Sequence, residues 1–150
     1  MDAVFIALGG GGLISGIATY LKALHPHMQI IACSPRNSAV MQHSVAAGYI
    51  LDEESLPTLS DGTAGGVESD SITFELVRDL VDRYVDVSEE EIASALRLFM
   101  ETQHMLIEGA AGVAIAAYLQ TKEQYVGKNV VIVLCGANIS LAALRQVIQG

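Results

Sequence analysis

The groups best suited to chemistry in this sequence are backbone amides. Gly9, Gly10, Gly11 and Gly12 follow one another with no side chain between them, and Leu13 opens the segment that comes next. Glycines at a turn remove every Cβ, so amide N–H groups can converge on a ligand that side chains would keep away. Ahead of the run, Val4 to Leu8 are apolar without alternation; behind it, apolar residues recur at Ile14, Ile17, Ala18, Leu21 and Leu24. The first pattern predicts a strand buried on both faces, the second one face of a helix. A loop joining them brings unpaired amides and the positive end of a helix dipole to one point, which suits an anion. No Lys-Ser or Lys-Thr pair follows the last glycine, and Gly9, Gly11 and Gly16 meet the dinucleotide spacing only loosely. A phosphate monoester therefore fits better than a dinucleotide. The same glycines also suit a tight turn that binds nothing, and the run alone leaves both readings open.

Composition narrows the classes. At 150 residues the chain has the size of one domain with a substantial core, and 51% hydrophobic residues imply a large buried sheet or a subunit contact. A net charge of −9 with only eight Lys plus Arg argues against a nucleic-acid partner. The apolar runs are too short to span a bilayer, so no membrane partner is expected, and the N-terminus has no signal-peptide pattern. The cytoplasm is the expected location. Cys33 and Cys135 each end an apolar run without a C-x-x-C partner, which points to neither zinc nor a disulfide.

The elements that must position the glycine loop follow in order. Met28 to Ser34 reads as a second buried strand ended by Pro35. Asn37 to Gly48 reads as a helix capped by Asn37 or Ser38 and stopped by Gly48. Tyr49 to Ser69 is the longest irregular stretch, a place where function or mobility is expected. An amphipathic helix is predicted over Ser71 to Asp82, and a short strand over Tyr84 to Val87. Ser88 and Glu91 form a capping box for a helix reaching about Glu101. The Ala- and Gly-rich segment Ile107 to Gln120 predicts a helix in tight contact with a neighbour. Asn129 to Asn138 reads as the last buried strand and its loop, and Ile139 to Ile148 as a closing helix. Alternating strands and helices imply an α/β fold, a doubly wound and mostly parallel sheet flanked by helices. Ligands sit at the carboxyl ends of such strands, which places the glycine loop, Ser34 and Cys135 to Asn138 on one sheet edge.

Five stretches taken together resemble the fold-type II pyridoxal-phosphate enzymes of the serine/threonine dehydratase and serine racemase group, within which the segment "SPRNSAVMQHSVAAG" (Ser34 to Gly48) is similar to hydroxyectoine-utilisation dehydratases. They are "GGGGL" at Gly9 to Leu13, "DGTAGG" at Asp61 to Gly66, "RDLVDRYVDVSEEEI" at Arg78 to Ile92, "LIEGAAGVAIAA" at Leu106 to Ala117, and "VLCGAN" at Val133 to Asn138. They occur in the family's order and cover nearly the whole chain. The resemblance implies the large-domain portion of a tryptophan-synthase-β-like fold and the cofactor pyridoxal 5'-phosphate. It implies that Gly9, Gly10, Gly11, Gly12 and Leu13 give amides to the cofactor phosphate and that Cys135 faces the pyridine nitrogen. Glu108 matches a glutamate near the ring, and Asn138 closes the family's glycine-glycine-asparagine turn, with Ala137 in place of the second glycine.

Two departures from the family pattern shape the expected function. Ser34 and Val40 stand where the resemblance would put a Glu and an Asp for a divalent cation, so no such metal is expected. The family's Schiff-base lysine belongs ahead of the glycine loop, and Lys22, Lys122 and Lys128 are expected at the far edge of the sheet or on the surface. Residues 1–150 therefore read as a single partial domain, the C-terminal half of a lyase that eliminates the hydroxyl from a small hydroxy-amino acid and is silent alone. Its expected partners are that amino-acid substrate in the complete enzyme and either a second copy or the absent half. The competing expectation is a non-catalytic module that binds phosphate or self-associates.

Overall fold

A computed structural model of the chain describes residues 1–149. Four parallel strands form its sheet: β1 (Ala3–Ala7), β2 (Gln29–Pro35), β3 (Arg83–Val87) and β4 (Val130–Ile132), in the order β3-β2-β1-β4. Six α-helices accompany them among the described residues: α1 (Gly12–Leu24), α2 (Val40–Ala47), α3 (Thr73–Leu80), α4 (Glu89–Gln103), α5 (Gly109–Thr121) and α6 (Leu141–Gln149). The α/β doubly wound architecture expected from the alternation of elements is present.

Strand periodicity divides the core into two layers. Val4, Ile6 and Leu8 point to one face with Ile30 and Ala32, where Ile14 and Ala18 of α1, Met41 of α2, and Phe74 and Val77 of α3 cover them. Phe5, Ile31, Cys33, Val85 and Val87 point to the other, under Ile92 and Leu96 of α4 and the alanines of α5. Phe5 meets Tyr118 and Tyr125 edge to face, with centroids 5.6 and 5.2 Å away. The small residues of α5 have the expected cause. A Cβ on Gly112 would reach within 2.9 Å of Leu96, and one on Gly109 would overlap the Leu59 carbonyl.

Several elements differ from their expected form. Pro35 is the last residue of β2, paired with Val87, because a proline at a strand end forgoes only its own donor. The Asn37–Gly48 helix is split into a 3-10 turn (Arg36–Ser38) and α2, with Ala39 between. Asn37 and Ser38 do not cap it; they turn to the irregular stretch, where Asn37 Nδ2 donates to the Pro57 carbonyl at 2.7 Å and Ser38 Oγ lies 2.7 Å from Ser55 Oγ. β4 is short and half-exposed rather than buried, since it lies at the edge of the sheet. The capping box at Ser88 forms as read, and Gly48 ends α2 at φ +82°.

Candidate functional site

The strand order reverses between β1 and β4: from β1 the chain builds outward through β2 and β3, then returns to β1's other side. A doubly wound sheet opens a crevice at such a point, outside the carboxyl ends of the two strands. The glycine loop leaves β1 there, and Cys135 follows β4. A cavity of about 360 Å³ lies between them, lined by Ala7, Gly9 to Leu13, Gly62, Thr63, Glu108, Ala110 and Cys135.

The glycines divide the work. A Cβ on Gly9 would come within 2.9 Å of the Thr63 carbonyl oxygen, and Gly11 adopts φ +86° against Thr73 and Val77. These two are set by packing and conformation. Gly10 and Gly12 have no atom within 4 Å of where a Cβ would stand, so there they leave open space. The amide N–H groups of Gly10, Gly11, Gly12 and Leu13 meet no acceptor among the described residues. They stand at the start of the 13-residue α1, whose dipole adds to their positive potential. Donors of this kind bind an anionic oxygen cluster without needing a cationic side chain.

Glu108 and Cys135 form the opposite wall. Glu108 occupies the N-cap of α5, yet its side chain caps nothing. Its Oε2 accepts the Asn138 N–H at 2.9 Å, and its own N–H donates to the Gly136 carbonyl at 3.1 Å. A Cβ on Gly136 would overlap the Glu108 carboxylate, so only glycine lets the loop approach this closely. The carboxylate thereby holds the turn that carries Cys135. Burial pushes the Cys135 thiol up from its ordinary pKa, and the nearby Glu108 charge pushes it further in the same direction. The thiol stays protonated at neutral pH. That suits a neutral hydrogen-bonding partner and not a nucleophile, which would need the thiolate.

The remaining expected positions fall outside the cavity. Asn138 is exposed and enters through its backbone N–H alone; Gly16 lies within α1. Ser34 is fully buried, its Oγ without a partner among the described residues, and it does not line the cavity. Lys22 Nζ pairs with Asp82, 2.7 Å from Oδ2, and the same oxygen accepts the Ile30 N–H at the start of β2. That is the amino edge of the sheet. Lys122 follows the far end of α5, about 20 Å from the cavity at the rise of an α-helix. Lys128 is exposed beside Met1 and Pro26. Reading along the chain missed Gly62, Thr63 and Ala110 as lining residues; the "DGTAGG" stretch was the available signal for the first two.

A cup of free amides facing a protonated thiol fits a group with a phosphate at one end and a ring nitrogen at the other. A family model described as pyridoxal-phosphate dependent enzyme matches residues 1–136. L-threonine ammonia-lyase of Thermotoga maritima is 38% identical over 149 residues, covering 99% of this chain and 37% of that protein. Serine racemase of Mus musculus is 38% identical over 153 residues, covering 99% of this chain and 44% of that one. Among solved structures, the processed form of threonine deaminase isoform 2 from Solanum lycopersicum matches with a TM-score of 0.91 at 32% identity, over 99% of this chain and 44% of its own. The chain spans less than half the length of these relatives.

Proposed function

Since the chain belongs to the pyridoxal-phosphate dependent enzyme family, we propose that it carries the phosphate cup and ring-nitrogen contact of an ammonia-lyase for a small hydroxy-amino acid. The amine that joins the cofactor would come from polypeptide outside these residues. One observation carries the reading: unpaired amides of Gly10 to Leu13 and the Cys135 thiol face one cavity, and no lysine lines it among the described residues.

When bound, pyridoxal phosphate supplies an electron-withdrawing ring that acidifies the α-carbon of an amino acid. The glycine-loop amides hold its phosphate and offset its charge. Cys135, kept protonated by burial and by Glu108, gives the ring nitrogen a neutral partner. Such a partner would leave the ring nitrogen without a proton, which would suit an elimination better than a transamination. Glu108 fixes the Cys135 turn through Gly136 and Asn138. The relatives' names, threonine ammonia-lyase and serine racemase, support the substrate class. A cytoplasmic location belongs to the same reading, and so does association with a second copy or a complementary polypeptide. Val131 on β4 and Leu134 just past it, 39% and 45% exposed, leave apolar surface at this edge of the sheet, which supports that association. Among the described residues, no helix is long and apolar enough to cross a membrane.

The test has two arms. Inorganic phosphate titrated into the chain should shift the amide signals of Gly10 to Leu13 at millimolar concentration, and unchanged signals would mean that the cup is not formed. With pyridoxal phosphate and either serine or threonine, the chain alone should release no keto acid. Adding a polypeptide that covers the unmatched portion of the Thermotoga maritima enzyme should restore release. Turnover by the chain alone, with borohydride fixing cofactor on Lys22, Lys122 or Lys128, would overturn the proposal.

A further inference from the structure

The glycine loop has a restraint outside the cavity. Thr73, the first residue of α3, donates from Oγ1 to the Gly10 carbonyl at 2.6 Å, across a sequence separation of 63. Ser71 Oγ lies 2.8 Å from the same Thr73 oxygen. A hydroxyl has a single proton, and that of Thr73 is committed to Gly10, so Ser71 must be the donor in the second contact. The result is a directed chain from Ser71 through Thr73 to the Gly10 carbonyl, each link polarising the next.

We infer that Thr73 is a positioning residue that sets the direction of the cup's amides by holding the Gly10–Gly11 peptide plane. A trans peptide points its C=O and N–H to opposite sides. With the Gly10 oxygen drawn toward α3, the Gly11 N–H is turned away from α3. Glycines on both sides of this peptide make a flip of its plane inexpensive. A flip would turn the Gly10 oxygen toward the side where the Gly11 amide now points, replacing a donor with a partial negative charge beside the bound anion. The packing of Gly11 agrees: at φ +86° its Cα lies so close to Thr73 that a Cβ would stand 2.9 Å from Oγ1. The function rests on the phosphate cup proposed above; the restraint itself does not need a ligand.

The test uses the full chain and three substitutions. Thr73→Val keeps the shape and removes the donor, Thr73→Ser restores the donor, and Ser71→Ala removes only the upstream link. Phosphate affinity, read from the amide shifts of Gly11 to Leu13, should fall about tenfold in Thr73→Val, the loss of one hydrogen bond's worth of orientation. It should recover to within about twofold in Thr73→Ser and fall about two- to threefold in Ser71→Ala. Without ligand, the Gly10 carbonyl carbon signal should move upfield in Thr73→Val and return in Thr73→Ser. Equal phosphate affinity in wild type and Thr73→Val would overturn the inference. So would an unmoved Gly10 carbonyl signal. If wild type itself ignores phosphate, the cup reading falls, and the carbonyl signal still decides whether Thr73 holds the peptide plane.

Discussion

Gly11→Ala should destabilise the chain by about 2–5 kcal/mol, whereas Gly10→Ala and Gly12→Ala should each stay within about 0.5 kcal/mol of wild type. The difference comes from backbone and surroundings, since the three substitutions add the same methyl group. At φ +86° an alanine is in the left-handed region, at a cost of about 1–2 kcal/mol. Its Cβ would also stand 2.9 Å from both Thr73 Oγ1 and Val77 Cγ2. Val77 is completely buried and cannot yield without disturbing the layer under α1, and overpacking of this kind costs about 1–3 kcal/mol. Gly10 and Gly12 have neither a left-handed φ nor an atom within 4 Å of the added carbon. Urea unfolding followed by circular dichroism measures the effect. At a slope of about 2 kcal/mol per molar urea, the Gly11→Ala midpoint should drop by roughly 1–2.5 M. A Gly11→Ala midpoint equal to wild type would refute the conformation assigned to the loop. Gly10→Ala supplies the functional control. It should unfold like wild type yet bind phosphate more weakly, because its methyl enters the open space at the loop.

The same geometry sets four further outcomes. Iodoacetamide at pH 7.5 should modify native Cys135 more slowly than an unfolded thiol, and Glu108→Gln should speed the reaction by removing one of the two causes that keep the thiol protonated; equal rates would refute the assignment. Cys33, fully buried, should react only on unfolding. Gly109→Ala should cost more than about 3 kcal/mol, because the new carbon overlaps the Leu59 carbonyl at the start of α5, and a thermal melt like that of wild type would contradict this packing. Ser88→Ala should cost about 1 kcal/mol and lower the melting temperature by about 2–4 °C, since it removes the acceptor for the Glu91 N–H.

Local patterns along the chain were enough to specify most elements. An unbroken apolar run at Val4 to Leu8, bounded by the glycines, has the length of a strand covered on both faces, and the 3.6-residue spacing from Ile14 to Leu24 presents one helical face to it. The Ser88–Glu91 box and the stop at Gly48 act within a few residues, so their outcome did not depend on the rest of the molecule. The free amides of the glycine run were legible for the same reason, since the start of α1 directly behind them leaves them without acceptors, while the run alone left a ligand-free turn also open.

Tertiary structure decided whatever depended on residues distant in the chain. Asn37 and Ser38 have the side chains of helix caps, but Pro57 and Ser55 compete for them across the irregular stretch, and the helix starts later. β4 has the composition of a buried strand and became an edge strand, because strand order is not written in any one strand's own residues. Glu108 stood out only through its match to a glutamate near the ring; the return of residues 136–138 shows which backbone groups its carboxylate and amide hold. Thr73 gave no sequence signal at all. Its partner is Gly10, 63 residues away, and a hydroxyl's bond to a distant carbonyl leaves no periodicity to read. Amide donors are encoded locally by the loop that bares them, but the direction in which they point depends on a contact that forms only when α3 packs beside α1.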